Sequence, residues 1–475
     1  MRAKVVLGLL LLAGVAGGAG YGWMLASRRA AVLRHVPATP NLSALPADFA
    51  DRVAQAETQA HSWRHAAEGL ADLARLYHAN GFYPEALACY DGLRTIEPGQ
   101  ARWPHLQACI IADFGRMEEA RPLRERVTEL APDYIPGWVR LGDVLLKANR
   151  PAEAIKVYTE TLRRAPGQPY ALLGLARCDL AAGDWPGART RLQDALAQNP
   201  AFIGAMSLLV TVSEHLGDTV TADALRSSIG RREFTDVPDP WLAELTEVCF
   251  DSYRLSVAAA IANSANDHAT ALALLDRAIA LAPANSSYRR QFGQMLLNDR
   301  EFDRARTQLE KAVELAPADS DAWLQLMNAQ RGLGDDTAAA NTLLRGLQLC
   351  PQSPSLHFEY ARLLKASNRP AEAIDEFHCT YELRPSDVSP LIELAGLSFA
   401  LNRTSDGLAA LNLALERSPG HPLALASLAV YAIMVGDEQS ALQRWAQIRQ
   451  QPKTPDEVVA SVRQAYERKF GRSLP

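Results

Sequence analysis

The chain has 475 residues and a formal net charge of −5, and 48% of its residues are hydrophobic. A charge this small on a chain this long argues against nucleic-acid binding, which requires a strongly basic surface. The six cysteines form no CxxC pair and no cluster, which argues against a metal knuckle and against a disulfide framework.

The first predicted element is a single transmembrane helix over residues 5–26, within an N-terminal region of residues 1–26. The stretch follows Arg2 and Lys4 and contains no charged side chain. A helix of this length, rising about 1.5 Å per residue, can cross a bilayer. A cleaved signal peptide is the alternative, because the chain is basic at first, then rich in leucine, then rich in small residues. We favour a retained signal-anchor because no A-x-A cleavage site precedes the arginines that follow.

Positive charges on the two sides of this stretch nearly balance. Arg2 and Lys4 precede it, and Arg28, Arg29 and Arg34 follow it. We favour a short cytoplasmic tail with the rest of the chain extracytoplasmic, but the positive-inside rule leaves the orientation open.

Three glycines within the predicted membrane helix could bring two copies together. Gly14, Gly18 and Gly22 recur every four residues and therefore share one face of a helix. Such a G-x-x-x-G stripe allows close helix pairing in lipid, so it predicts a membrane-tethered homodimer. The alternative is a glycine-rich hydrophobic segment with no pairing role.

Residues 27–66 are predicted to form a juxtamembrane linker and a capping helix. Residues 36–46 contain three prolines, which is typical of an extended spacer. A helix from about residue 47 to residue 65 then leads into the next element.

Two series of prolines, each with a spacing of 34 residues, dominate the remaining sequence. They are Pro98, Pro132, Pro166 and Pro200, followed by Pro283, Pro317, Pro351, Pro385 and Pro419. A fixed period of this length indicates one supersecondary unit repeated in series, which is a solenoid. The predicted units begin at residues 67, 101, 135, 169 and 203 in a first array (67–236), and at 252, 286, 320, 354, 388 and 422 in a second (252–455).

Two further positions define the unit as two helices joined by a tight turn. Position 20 is alanine in ten of the eleven units, which lets the two helices approach closely. Position 15 is Gly or Asn in ten units, and these residues tolerate the left-handed backbone of a short turn. Proline at position 32 ends the second helix.

These positions resemble the tetratricopeptide repeat family. The third unit carries the family pattern best, with Trp138, Leu141, Gly142, Ala154, Tyr158 and Pro166. The resemblance covers roughly residues 67–452. It implies stacked antiparallel helix pairs that form a right-handed superhelix with a concave groove.

The two arrays are out of phase, and residues 237–251 form an insertion between them. Its sequence is VPDPWLAELTEVCFD. One interpretation is an added helix that covers the seam between the arrays. The other is a partner-binding or hinge element, because insertions in solenoids map to one face.

The C-terminal residues 456–475 are predicted to cap the last repeat. Residues 456–470 place Val458, Val462 and Tyr466 near one face of an amphipathic helix. Such a helix would cover the apolar surface that the last unit leaves exposed.

In the family that this chain resembles, positions 2, 5, 9, 12 and 13 of each unit face the concave groove. Carried over to the sixth to ninth units, these twenty positions hold four cations and four amides but only one acid, Asp321. The partner-binding residues predicted in this way are Arg290, Gln294, Asn298, Asn328, Arg331, Arg362 and Lys365. Such side chains suit carboxylates and peptide main chains, which predicts acidic or C-terminal peptide segments as partners. The alternative is a solvated polar groove.

No motif of an enzyme occurs in the sequence. HExxH, GxSxG and P-loop patterns are absent. His61 and His65 have the spacing of two metal ligands on one helix face, but no third ligand is near them in sequence. We therefore predict neither catalysis nor a cofactor.

The sequence thus predicts a membrane-anchored scaffold that binds other proteins in a concave groove. The alternative is a subunit of an envelope assembly, secretion or cytochrome-maturation machine, as some relatives of this family are. A weaker alternative is a structural membrane dimer held by the glycine stripe.

Overall fold

In the computed structural model, the described residues are 20, 22–43, 45–229, 236–265, 267–451 and 454–474. They fold into α-helices and one 3₁₀ helix, with no strand among them. The predicted all-α repeat fold is therefore confirmed. The chain forms two compact units that meet in sequence at Pro283 and Ala284. This division falls one helix pair later than the predicted start of the second array at residue 252.

The first unit contains two N-terminal helices, six helix pairs and a short insertion. Its helices are α1 (22–33), α2 (Ala47–Ala60), α3 (Ala66–Ala79), α4 (Tyr83–Ile96), α5 (Arg102–Asp113), α6 (Met117–Leu130), α7 (Ile135–Lys147), α8 (Pro151–Arg164), α9 (Pro169–Ala181), α10 (Trp185–Gln198), α11 (Ile203–His215), α12 (Thr219–Ile229), α13 (Pro240–Ala243), α14 (Ser252–Ser264) and α15 (His268–Leu281). The 3₁₀ helix, Glu244–Val248, directly follows α13.

The second unit contains five helix pairs and a C-terminal helix. Its helices are α16 (Ser286–Asn298), α17 (Phe302–Leu315), α18 (Ser320–Gly332), α19 (Asp336–Leu349), α20 (Pro354–Ala366), α21 (Pro370–Leu383), α22 (Ser389–Ala400), α23 (Thr404–Arg417), α24 (Pro422–Val435), α25 (Glu438–Arg449) and α26 (Asp456–Phe470).

Small residues allow the two helices of each pair to pack closely. The position-20 alanines are buried in the second helices; they are Ala86, Ala120, Ala154, Ala188, Ala222, Ala271, Ala305, Ala339, Ala373 and Ala441. Glycines play the same part in some first helices. A Cβ at Gly142 of α7 would overlap the ring of Tyr158 from α8, so only glycine fits this contact without a shift.

The turns between paired helices use a left-handed backbone. Positive φ angles occur at Gly81, Gly115, Asn149, Gly183, Gly217, Gly334, Asn368, Asn402 and Gly436. Asn266, also predicted for this role, lies outside the described residues. The remaining unit has Arg300 at this position, and its φ is also positive, at 61°. The turn geometry is thus imposed even where the residue type does not favour it.

The end of α1 contacts the residues that join α2 to α3. Val32 is fully buried. The Arg29 Nε donates a hydrogen bond of 2.8 Å to the main-chain oxygen of His61, and its guanidinium lies 5.0 Å from the ring centre of Trp63. α2 packs against α3 as a cap.

The predicted membrane segment, residues 5–26, lies mostly outside the described residues, as do Gly14 and Gly18. Gly22 is exposed on α1, and α1 continues to residue 33, beyond the predicted end of the segment. Within the described ranges, we find no helix with both the length and the apolar character required to cross a bilayer.

At the other end of the chain, α26 covers the last helix pair. Val462 and Tyr466 are buried in one apolar cluster with Trp445 of α25 and Leu425 of α24. The apolar surface of the final pair is thereby removed from water, as a terminal cap of a solenoid requires.

Candidate peptide-binding sites

The predicted groove residues of the second unit lie on the first helices of three successive pairs. Arg290, Gln294 and Asn298 are on α16, Asn328 and Arg331 are on α18, and Arg362 and Lys365 are on α20. All are exposed except Arg290, which is half-buried. They are therefore accessible to a partner, as the prediction requires.

A cavity of about 330 Å³ lies between α18, α19 and α20. Arg331, Arg362, Glu359 and Asp336 supply its charged groups. Its remaining lining is apolar and consists of Met327, Ala339, Ala340, Leu343, Leu363 and Ala366. The structure thus brings two of the seven predicted residues to one cavity, and the other five do not line it.

One carboxylate lies between the two arginines of this cavity. Glu359 Oε1 is 3.0 Å from Arg362 Nη1, and Glu359 Oε2 is 3.5 Å from Arg331 Nη1. Two cations thus share one glutamate at a partly solvated surface, where an ion pair contributes only about 0–1 kcal/mol. A carboxylate from another molecule could therefore compete for either arginine.

The other predicted polar groups also have partners nearby. Lys365 Nζ lies 2.7 Å from Glu393 Oε2, and Arg290 Nε lies 2.9 Å from Asp319 Oδ2. The amide of Gln294 donates a hydrogen bond to Asn298.

The acidic partners Glu359, Glu393 and Asp319 were missed by the sequence analysis. Glu359 and Glu393 both occupy position 6 of their units, next to a position that was assigned to the groove. This recurrence is the signal that could have revealed them.

In the first unit, residues 236–250 lie across the first helices of four successive pairs. They form only the short α13 and the 3₁₀ helix, and no helix pair of their own. Their contacts run from Tyr170 of α9, through α7 and α5, to Asn80 after α3. The segment, here called the insertion segment, therefore runs in the direction opposite to the order of the repeats.

Three side chains hold the carboxylate of Asp239 in this segment. His105 Nε2 and Arg140 Nε each lie 2.8 Å from Oδ2, and the hydroxyl of Tyr134 donates to Oδ1 over 2.5 Å. Arg124 Nη1, which can only donate, is 2.9 Å from Nδ1 of His105. The proton of His105 is therefore on Nε2, where it is donated to Asp239.

The surroundings of Asp239 keep it ionised. Burial alone would raise the pKa of its carboxyl, but the hydrogen bond from His105 and the charge of Arg140 outweigh burial, so this pKa lies well below its ordinary value. Close by, burial would raise the pKa of the Cys109 thiol, but the charge of Arg124, whose Nη2 donates to the sulfur over 3.1 Å, outweighs burial and brings that pKa to about 7. The Asp239 carboxylate and the Cys109 thiol thus each lie beside an arginine of the groove.

An aromatic contact lies beside this carboxylate. The ring of Trp241 stacks on Tyr134 with 3.7 Å between ring centres, and it meets the edge of His105 at 5.2 Å. Further along the segment, Arg102 Nη2 lies 2.7 Å from Glu244 Oε1. The first helices therefore recognise both an aromatic ring and a second carboxylate.

The far end of the segment is held by its main chain. The Asn80 amide donates to the oxygen of Val248 over 2.9 Å and accepts from the N–H of Phe250 over 2.6 Å. Arg277 of α15 donates to the main-chain oxygens of Thr246 and Cys249 over 2.7 and 2.8 Å. These hydrogen bonds bind main-chain atoms of the insertion segment and do not depend on its side chains.

The sequence analysis missed His105, Tyr134 and Arg140 as parts of a site. His105 occupies position 5 of its unit, one of the positions assigned to the groove. Extending that assignment to the first array would have included it, whereas no sequence signal links these residues to Asp239.

The described residues contain no group of three or more His, Cys, Asp or Glu side chains that could hold a metal ion. His61 Nδ1 is 2.8 Å from the main-chain oxygen of Glu57, and His65 Nδ1 is 2.8 Å from Glu68 Oε2. Each of these histidines thus has a local partner.

Two parts of the chain match family models of the tetratricopeptide repeat. They are residues 145–211 and residues 320–363. The second match contains Arg331, Glu359 and Arg362, so the cavity between α18, α19 and α20 lies almost entirely within recognised repeats.

The chain is similar to a protein named cellulose synthase 2 operon protein C, from Komagataeibacter xylinus. The two are 32% identical over 139 residues, which are 29% of this chain and 9% of that protein. The match therefore spans a small fraction of the relative.

Solved structures with a similar helical arrangement include YrrB, described as a tetratricopeptide repeat protein with an unusual peptide-binding site. It is 21% identical, with 37% of this chain and 91% of that chain covered and a TM-score of 0.31. Yeast Tom70 is 15% identical, with 85% and 96% covered and a TM-score of 0.37. The helix pairs and the family matches identify an all-helical solenoid with tetratricopeptide repeats, a type of repeat that generally mediates protein–protein interactions.

Proposed function

We propose that the protein is a membrane-anchored scaffold without catalytic activity, and that its second unit binds partner peptides. The observation that carries this proposal is the cavity between α18, α19 and α20, where two exposed arginines stand beside an apolar lining. A cavity with a few polar groups at its rim suits a side chain and a charged group of one ligand.

The cavity favours a peptide that carries a carboxylate next to an apolar side chain. The carboxylate would replace Glu359 as the partner of Arg331 or Arg362, and the side chain would enter among Met327 and Leu343. An acidic segment or the C-terminal residue of a partner has this chemistry.

Crosslinking of the tagged full-length protein in cells, followed by mass spectrometry, tests this proposal. Wild type is compared with R331E/R362E, and with R304E/R306E on α17 as a control that has the same change of charge. We expect the first pair of substitutions to abolish crosslinks near the cavity and the second to preserve them. Equal crosslinking by all three proteins would exclude this surface.

The anchor is proposed from the uncharged residues 5–26 alone. Deletion of residues 1–26 is expected to release the protein from membranes that are washed with carbonate, while the full-length protein stays bound. The intact mass of the purified protein tests the alternative of a cleaved signal peptide, since cleavage would remove the N-terminal residues. The proposed homodimer through Gly14, Gly18 and Gly22 is tested by G18I, which should yield monomers in detergent.

A second candidate function is a subunit of an envelope assembly, secretion or cytochrome-maturation machine. The observation that favours it is the 32% identity with a protein named for a cellulose synthase operon. This similarity favours a machine that handles polysaccharide. Repeated crosslinks to subunits of one synthase or export complex would support this candidate, whereas crosslinks to unrelated proteins with similar acidic segments would favour the general scaffold.

A further inference from the structure

The first unit holds its own insertion segment in the way that a groove holds a peptide. The segment receives hydrogen bonds at its main chain from Tyr170 and Asn80, and at a buried carboxylate from three side chains. These donors come from four different helix pairs. The segment has only two short helical turns of its own, so its conformation depends on the groove.

We propose that α3, α5, α7 and α9 form a second peptide-binding site, distinct from the cavity of the second unit, and that residues 236–250 are its built-in ligand. The partner that this site takes is a peptide segment with an aspartate followed two residues later by a tryptophan. Such a partner binds by displacing the insertion segment.

The required aspartate follows from the charges in the groove. His105 and Arg140 point their donors at one carboxylate, and Arg124 fixes the donor nitrogen of His105. Arg124 and His105 are themselves almost fully buried. Removing the carboxylate leaves the buried His105 donor without an acceptor and leaves Arg140 with only the exposed Asp236, 3.1 Å from its Nη1, so an empty site is unfavourable and a neutral peptide is a poor ligand.

The required tryptophan follows from the flat face that Tyr134 presents. Its ring lies nearly parallel to that of Trp241, with 13° between the planes, while its hydroxyl contacts Asp239. One tyrosine thus contacts both the carboxylate and the aromatic ring of the ligand, and these two contacts fix the spacing between its aspartate and its tryptophan. The ring of His105 lies beside this stacked pair, with its centre 5.4 Å from that of Tyr134 and 5.2 Å from that of Trp241.

The insertion segment leaves room in its groove. A cavity of about 220 Å³ lies beside Leu242 and is lined by Cys109, Asp113, Arg140 and Asp143 among others. Few apolar side chains of the segment are buried; Val237, Leu245 and Cys249 are the ones that stabilise it in this way. A partner with a longer side chain at the place of Leu242 would fill this space and gain contacts that the segment lacks.

Covalent attachment gives the segment an advantage over a separate peptide. A tethered ligand has an effective concentration of about millimolar, so it occupies the groove unless the competitor binds better or the segment is weakened. Substitutions in the segment are therefore expected to open the site, and substitutions in the groove to destroy it.

The test uses the full-length protein and a labelled synthetic peptide with the sequence of residues 236–250, in which serine replaces Cys249. We expect D239A/W241A to bind this peptide at least about tenfold more tightly than wild type does. The peptide should also raise the melting temperature of D239A/W241A, because it returns the missing carboxylate to His105 and Arg140. A peptide with Asn for Asp239 and Ala for Trp241 is the matched control and should bind neither protein.

The addition of Y134A to D239A/W241A should abolish peptide binding, because Tyr134 contacts both the aspartate carboxylate and the tryptophan ring of the ligand. Binding by D239A/W241A that is no tighter than that of wild type, or that is unaffected by Y134A, would overturn the proposal.

Hydrogen exchange in the wild-type protein gives a second measurement that does not depend on a variant folding. An excess of the peptide should accelerate exchange of the main-chain amides from Trp241 to Cys249 and leave distant helices unchanged. Fragments that contain position 249 are followed, because the serine gives those of the peptide a distinct mass. Unchanged exchange at saturating peptide would mean that the segment is a fixed part of the fold, and the proposal would be wrong.

Discussion

Lys365 Nζ lies 2.7 Å from Glu393 Oε2, and the two residues are 28 positions apart. Arg331 and Glu359 have the same spacing and lie 3.5 Å apart. In both cases a cation at position 12 of one repeat meets a carboxylate at position 6 of the next. The same ion pair therefore recurs between successive repeats of the second unit. A carboxylate of a partner must compete with Glu359 or Glu393 for these cations.

This competition predicts that removing the internal carboxylates strengthens the binding of acidic partners. In E359Q/E393Q, Arg331, Arg362 and Lys365 lose their internal anions. We expect the affinity for a partner peptide identified by crosslinking to rise about fivefold, because exposed ion pairs contribute up to about 1 kcal/mol. Fluorescence anisotropy at low and high salt measures the effect, which should shrink as salt screens the charges.

The control for this experiment is E301Q/E310Q, at the residue that precedes α17 and at one on α17, which removes the same charge elsewhere in the second unit. It should leave the affinity unchanged. A partner that binds E359Q/E393Q and wild type equally well does not use these cations.

Two glycines in first helices should respond in opposite ways to the same substitution. G142A places a methyl group against the ring of Tyr158 and should destabilise the first unit by about 1–3 kcal/mol. No atom lies within 4 Å of the corresponding Cβ at Gly396, so G396A should stabilise the second unit by about 0.5–1 kcal/mol through the better helix propensity of alanine. Hydrogen exchange in α7 and α22 under mild denaturant measures both effects, and a change of the same sign in both would contradict the packing argument.

The sequence predicts the repeat fold because the same types of residue recur at the same positions of each repeat. Ala154 lies at a close contact between two helices, and Asn149 lies in a left-handed turn. Small residues and Gly or Asn recur at these two positions in nearly every unit, so each copy strengthens the prediction for the others. The insertion segment has no such repetition. The contact of Asp239 with His105 joins residues 134 positions apart and depends on how four helix pairs stack, which no local pattern encodes. The sequence also predicts that Arg331 is exposed, which the structure confirms, whereas its contact with Glu359 depends on how neighbouring repeats stack.

Arg300 shows how strongly the repeat imposes its turn. It adopts a φ of 61°, which costs an L-residue with a Cβ about 1 kcal/mol or more. R300G should therefore raise the free energy of unfolding of the second unit by about 1 kcal/mol, because glycine adopts this conformation without strain. Urea unfolding followed by circular dichroism measures the change.

The reverse substitution at an equivalent turn is the control. Gly334 has a φ of 78° with open space around it, so G334A should destabilise the second unit by a similar amount through backbone strain alone. If R300G proves neutral, the left-handed turn at Arg300 is not strained in the folded protein.

The Asp239 cluster predicts a pH dependence of stability. The folded-state pKa of Asp239 is lowered, so its contribution is fully present above the ordinary pKa of about 3.9 and is lost as the pH falls through the lowered value. D239N takes the carboxylate away from buried His105 and from Arg140, which keeps only the exposed Asp236 as its anion, and should destabilise the first unit by about 3 kcal/mol near neutral pH.

Thermal unfolding of wild type and D239N between pH 3 and 8 measures this dependence. This range includes about pH 4, the ordinary pKa of an aspartate carboxyl. The difference between the two proteins should be constant from about pH 5 upward and should shrink below about pH 4, because Asp239 of the unfolded wild-type chain then takes up a proton while the folded protein keeps it ionised. D133N, at an exposed aspartate, is the matched control and should follow wild type throughout. A difference that persists unchanged at low pH would mean that the carboxylate charge of Asp239 does not hold the insertion segment in its groove.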